Sequence, residues 1–213
     1  MTLIDQTHKS SRLNIKTNFM TNLEIKATQV QDLFLEISDN FKKFQTNHQI
    51  FCLKDCGKCC TYNDIQCSVL ELIPFALYIA RNPELKPLAE KIRSNPESKF
   101  CHLYQSTSDD NKKGFCQYYQ YRPSICRIFG AYAAKNKYGK YSVSTCDLLK
   151  EQREKSSLGN DEYQNTPMFW TEKLKSIDPH LAEDKNHINI SLLKALDIVD
   201  TIHYYQQLEN LNE

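Results

Sequence analysis

Nine cysteines in a chain of 213 residues are the side chains best equipped for chemistry, and their spacing is uneven. Four crowd into one stretch, Phe51-Cys52-Leu53-Lys54-Asp55-Cys56-Gly57-Lys58-Cys59-Cys60. The two-residue gap between Cys56 and Cys59 lets one turn aim two sulfurs at the same metal. Gly57 between them is expected to use a positive φ, which would turn backbone N–H groups toward the thiolates. Cys52 offers a third ligand. Cys60 directly follows Cys59, and neighbouring side chains diverge, so it serves a second centre, bridges two, or packs as a small buried hydrophobe. The remaining five, Cys67, Cys101, Cys116, Cys126 and Cys146, are spread out. Taken singly, each is a core residue as often as a ligand.

Composition narrows the setting. Nine is an odd number, too few for a disulfide scaffold, and the first twenty residues lack the apolar stretch of a secretory signal. A reduced, cytoplasmic chain is expected, in which cysteines are read first as metal ligands. No run nears the roughly 18 apolar residues of a membrane span. No Gly-rich phosphate loop, G-x-S-x-G or H-E-x-x-H is present, so nucleotide and hydrolytic chemistry find no support. Residues 1–150 carry 21 lysines and arginines against 14 acidic residues, and residues 151–213 carry 6 against 12. A basic half can mark nucleic-acid binding. All nine cysteines lie in that half, however, and four thiolates around a divalent metal are formally −2, so local neutralisation is preferred. Neither nucleic acid nor membrane is expected as a partner.

The elements that must position these sulfurs are mostly helical. Residues 1–20 read as a disordered leader, with Met20 a candidate start. Val30, Leu33, Phe34, Ile37, Phe41 and Phe44 predict an amphipathic helix over 22–46. Ser68 and Glu71 form a capping-box pattern opening a helix to about Arg81, which Pro74 should bend or confine. Asn82-Pro83 starts another to about Ser94. Residues 105–114 read as a polar surface loop, and Pro123 begins a short helical turn. Residues 131–144 suggest a small hairpin. A helix is expected from Cys146 to about 155, a polar linker over 156–166, and a last helix over 190–208. The fold class is mainly α with minor β: a leader (1–20), one cysteine-cluster metal-binding domain (21–155) and an acidic helical extension (156–213).

The order of these residues resembles a family. The loop Cys52-x3-Cys56-x2-Cys59-Cys60 is followed by a lone Cys101. Then come Cys116, Tyr119-x-x-Arg122-Pro123-x-x-Cys126-Arg127-x-Phe129, and Cys146. This pattern looks like the YkgJ-like cysteine-cluster proteins, described as a zinc- or iron-chelating domain and sharing that domain with flagellin lysine N-methylases. The likeness covers about 50–150. It implies eight ligands, Cys52, Cys56, Cys59, Cys60, Cys101, Cys116, Cys126 and Cys146, with Arg122 and Arg127 as cofactor-binding companions. Three features depart from the pattern: a first gap of three rather than two residues, Gly130 where relatives often have Pro, and Cys67, which is expected in the core. Arginines beside thiolates donate hydrogen bonds and offset charge; an ordinary ion pair is the alternative for Arg122. His102 is expected at the surface.

All-sulfur ligation suits zinc or an iron–sulfur cluster. Three close cysteines with a distant fourth are a common way to hold a cubane, so a 4Fe-4S cluster is favoured over zinc. Cys52-x3-Cys56-x2-Cys59 also matches the radical S-adenosylmethionine signature, but Lys58 stands where that family has an aromatic, and repeated βα units are missing. Three functions follow. The first is a structural or redox metal-cluster protein. The second is a cluster-dependent modifying enzyme like the flagellin methylases. The third is a zinc-stabilised module whose acidic helix meets a protein partner.

Overall fold

The computed structural model describes residues 21–53, 56–62, 64–110, 113–154, 158–159 and 162–211. The leader expected at 1–20, and part of the linker expected at 156–166, lie outside them. The described residues form eight α-helices and three two-stranded ladders, a mainly α fold. No helix among them is long and apolar enough to cross a membrane.

The first helix, α1 (Asn22–His48), opens on a capping box in which Thr21 and Glu24 each accept the other's backbone N–H. Its apolar stripe is the one read from the sequence: Val30, Leu33, Phe34, Ile37 and Phe44 are buried and Phe41 partly so. The next, α2 (Val69–Arg81), is so uniformly apolar that it is buried nearly all round, the mark of a central helix. Pro74 lies inside α2 without ending it. An internal proline costs about 3 kcal/mol, and full burial of side chains such as Leu72, Ile73 and Phe75 returns roughly 1.5–3 kcal/mol each. Packing therefore wins. The single helix expected over 82–94 instead splits into a 3-10 turn, Pro83–Leu85, and α3 (Lys86–Ser94). Pro87 lacks the N–H that would bond the Pro83 carbonyl, and here, without the enclosing packing that holds α2 around Pro74, the first turn tightens to 3-10.

Downstream come α4 (Ser124–Ile128), α5 (Lys150–Glu154), α6 (Pro167–Ile177), α7 (Pro179–Glu183) and α8 (Ile188–Leu211). In the ladders, β1 (Gln66–Ser68) pairs with β6 (Lys185–His187), β2 (Tyr104–Ser106) with β3 (Gly114–Cys116), and β4 (Ala131–Lys135) with β5 (Tyr141–Thr145), all antiparallel. The hairpin expected over 131–144 is β4–β5. The polar run 105–114 is not all loop, because its two ends are paired strands. Charge and Asp/Asn content describe the middle of that hairpin correctly and hide its edges.

Along α2 runs α8, where Leu192, Ala195, Leu196 and Val199 share a core with Leu72, Phe75, Ala76 and Ile79. Trp170 and Leu174 of α6 pack on Val30, Phe34 and Ile37 of α1. A third apolar group joins Phe44 and Ile50 to Ala131, Ala133, Val143 and Leu149 and seats the β4–β5 hairpin at the end of α1. These cores fix α1, α2 and two hairpins around the cysteine-bearing segments.

Candidate metal centre

Four stretches of chain carry the eight motif cysteines. Cys52 and Cys56 lie in an irregular loop, and Cys59 and Cys60 on a 3-10 turn, Lys58–Thr61. Gly57 ahead of that turn has φ −96°, so the positive φ expected there does not occur. Its role is close approach: a Cβ on Gly57 would stand 2.6 Å from the Gly114 carbonyl oxygen and 2.8 Å from the Tyr104 ring. The loop is thereby pressed onto the β2–β3 hairpin. Cys101 precedes that hairpin, where its sulfur accepts from the Leu103 N–H at 3.4 Å, and Cys116 ends it, paired in register with Tyr104.

Cys126 sits on α4, and the start of α4 is held by a group the motif does not contain. The carboxylate of Glu71 is buried, 2% exposed. One of its oxygens accepts from the Ser68 N–H and hydroxyl, both at 2.8 Å; the other accepts from the Ser124 N–H at 2.7 Å and from the Ser124 hydroxyl. One carboxylate thus closes the first turn of α2 and of α4 together. Its capping-box half is visible in the sequence; its half on Ser124, 53 residues away, is not. Cys146 follows β5, and the pairing of Ala131 with Thr145 brings it beside Gly130. A Cβ on Gly130 would lie 2.4 Å from the Cys52 sulfur. Glycine is what lets that sulfur rest against the backbone.

Seven of these sulfurs, from Cys52, Cys56, Cys59, Cys60, Cys116, Cys126 and Cys146, line one cleft of about 620 Å³ walled also by Ser38, Phe41 and Gln45 of α1. Cys101 lines a much smaller adjoining pocket with Cys59, Cys60, Cys116, Cys126 and Arg122. All nine cysteines of the chain are free thiols. Cys67 is buried in β1 and lines neither space. His102 is not at the surface: it is 4% exposed, its N–H donates to Asn189, and its ring Nε2 meets the Asn95 carbonyl at 2.8 Å.

The two arginines part company here. Arg122 lines both spaces. It donates to the Cys126 carbonyl and the Cys59 sulfur and stacks 4.6 Å over the Tyr119 ring, while its buried Nε has no partner. Burial opposes its charge, yet the fields of Cys126, Cys59 and Cys60 outweigh that and raise its pKa. Arg127 also borders the cleft, but its three nitrogens donate to the Arg122 carbonyl (2.7 Å), the Ser38 hydroxyl (2.8 Å) and the Gln120 carbonyl (2.6 Å). Its guanidinium lies over Phe34 of α1. Burial, then repulsion from Arg122, lowers it to about 10.

The thiols respond to the same surroundings. Burial raises Cys52, Cys116 and Cys126, and takes Cys101 to about 12 against the pull of the Leu103 N–H. Cys59 goes the other way, to about 6, because the Cys60 thiol donates to it and Arg122 faces it. Cys60 is raised by that same bond and by burial.

Residues 51–147 match the family model CxxCxxCC, described as a putative zinc- or iron-chelating domain. The match spans a little under half of the chain and covers all eight motif cysteines. Comparison with curated proteins finds no match, and comparison with solved structures finds none. The chemistry of the CxxCxxCC segment suits such a centre: sulfur is the donor that zinc and iron–sulfur clusters select. A buried, unpartnered N–H at Arg122 is what a thiolate-bound centre would satisfy. Among the described residues no three Cys, His, Asp or Glu side chains already stand as a set able to grip an ion. The thiols are gathered but not closed.

Proposed function

We propose that this chain is a thiolate metal-centre protein in which the motif cysteines hold iron–sulfur in preference to zinc, with a structural and electron-carrying role in the cytoplasm. One observation carries the reading: seven motif cysteines from four separate stretches of chain face a single cleft beside the half-buried guanidinium of Arg122. A cleft of about 620 Å³ is larger than a lone ion needs, which favours a cluster. Cys52, Cys56, Cys59 and Cys146 supply the loop-plus-distant-cysteine arrangement suited to a cubane. When bound, an iron–sulfur centre supplies one-electron chemistry, and Arg122 next to its thiolates would raise its potential.

Anaerobic purification with iron, zinc and acid-labile sulfide analysis tests this. Brown protein holding iron and sulfide in equal amounts is expected. Colourless protein with stoichiometric zinc and no sulfide would replace the iron–sulfur assignment with a zinc-stabilised module. A second reading, a cluster-dependent modifying enzyme, is favoured by the polar α1 residues Ser38, Lys42 and Gln45 on the wall of the cleft, which offer a substrate polar contacts beside the metal.

A further inference from the structure

The eight motif sulfurs are not one undivided group. Cys52 rests against Gly130, and the Ala131–Thr145 pairing sets Gly130 beside Cys146, so these two thiols share the end of the β4–β5 hairpin. At the other side, the pairing of Tyr104 with Cys116 brings the end of β3 back to the stretch holding Cys101. The cavities divide the same way. Cys52, Cys56 and Cys146 line the larger space alone, and Cys101 the smaller alone. Cys59, Cys60, Cys116 and Cys126 line both spaces, and of these Cys59 and Cys60 are adjacent in sequence, so their side chains diverge where the two spaces meet.

We infer that the domain holds two metal centres, one gathered by Cys52, Cys56, Cys59 and Cys146 and the other by Cys60, Cys101, Cys116 and Cys126, with the Arg122 guanidinium between them. The inference rests on the proposed thiolate metal chemistry and adds a second site to it. Four sulfurs per centre satisfies tetrahedral zinc and a cubane alike. Two such centres are each formally −2, and neighbouring dianions repel strongly away from water. A planar cation carrying five donors is suited to separate and bridge them. Arg122 lines both spaces and keeps a buried N–H without a partner, which a sulfur of the closed centres can take.

The test begins with metal and sulfide per chain in the purified protein. The pair Cys52→Ser with Cys146→Ser and the pair Cys101→Ser with Cys116→Ser should each lower metal content about twofold, because each empties one four-sulfur centre. Loss of all metal from both doubles, with helical circular dichroism intact, would mean a single shared centre and overturn the inference. Should either double fail to fold, the wild-type protein loaded with cadmium-113 decides. Two all-sulfur cadmium resonances without mutual cadmium coupling are expected; one resonance, or a coupled pair, refutes the two-centre arrangement. Wild-type protein showing no sulfur-bound cadmium and no native metal would instead overturn the metal-centre reading itself.

Discussion

Replacing Glu71 with glutamine removes one charge and almost no volume, at a residue that no cysteine motif includes. Both carboxylate oxygens are in use, two donors from Ser68 on one and two from Ser124 on the other. A glutamine keeps one oxygen and turns an NH2 group toward the opposite pair. The serine hydroxyl there can rotate to accept, but the backbone N–H cannot. One buried N–H is left unsatisfied, about 1–3 kcal/mol, and the surviving bonds lose their ionic assistance, about another 1 kcal/mol. Relief of the buried charge offsets part of this. The net expectation is a loss of about 1–3 kcal/mol, or roughly 2–12 °C in Tm for a chain of this size. Urea and thermal unfolding of the metal-loaded protein would measure it. Retained metal should fall too, because Ser124 starts the helix that carries Cys126. A loss below about 0.5 kcal/mol with unchanged metal would refute the claim that Glu71 ties α4 to α2.

Gly130→Ala should leave the fold within about 1 kcal/mol of wild type, since the contact is with the end of a side chain, while displacing the Cys52 sulfur and weakening metal retention about 10–100-fold; competition with a chelator reads this directly. Arg122→Met should lower metal retention or the reduction potential, whereas Arg127→Met should cost about 1–3 kcal/mol of stability by cutting the ties to Ser38 and Gln120 and leave the potential nearly unchanged; voltammetry beside denaturation separates the two. The metal-free protein should weaken in alkali. Thiols ionise near 9 in the unfolded chain, and folding raises Cys52, Cys101, Cys116 and Cys126, so their contribution is full below pH 9 and is lost as pH rises through the folded values. The lowered Cys59 acts in the opposite sense, one thiol against six once the raised Cys60 and Cys67 are counted with those four. The loaded protein should instead release metal as pH falls, because protons compete for thiolates. Unfolding midpoints across pH, with and without chelator, check both signs.

What was legible in the sequence is what short-range physics determines. The stripe from Val30 to Phe44, the Ser68–Glu71 capping box and the turn after Pro123 are local patterns, and each appears as read. What escaped is set by distant partners. Lys185–His187 has no apolar alternation and becomes a strand only because Gln66–Ser68 offers a ladder edge. His102 sits between Cys101 and Leu103 and is held inside by Asn95 and Asn189, the latter 87 residues away. Within the site, spacing marked the cysteines but could not assign the arginines. Arg122 and Arg127 read alike beside Cys126, and one helical turn then sends the first among the sulfurs and the second back to α1.

That division bears on which state of the protein the fold is built for. A half-buried guanidinium with an unpartnered Nε is poorly matched to thiols that burial keeps neutral: in the metal-free protein the Cys126 carbonyl, the Tyr119 ring and the lowered Cys59 sulfur are its compensation for a charge taken from water. Beside thiolates the sign of the balance reverses, since each deprotonated sulfur stabilises Arg122 as Arg122 stabilises it. Most of these thiols have pKa values above neutrality when metal-free, so a bound metal is what can hold them ionised at pH 7. Cys59 already pairs with Arg122 without metal, and the other cysteines match it best in the loaded state. Metal binding and the burial of that arginine are then expected to be coupled, so removing the metal should unsettle the cysteine-bearing loops before the α2–α8 core.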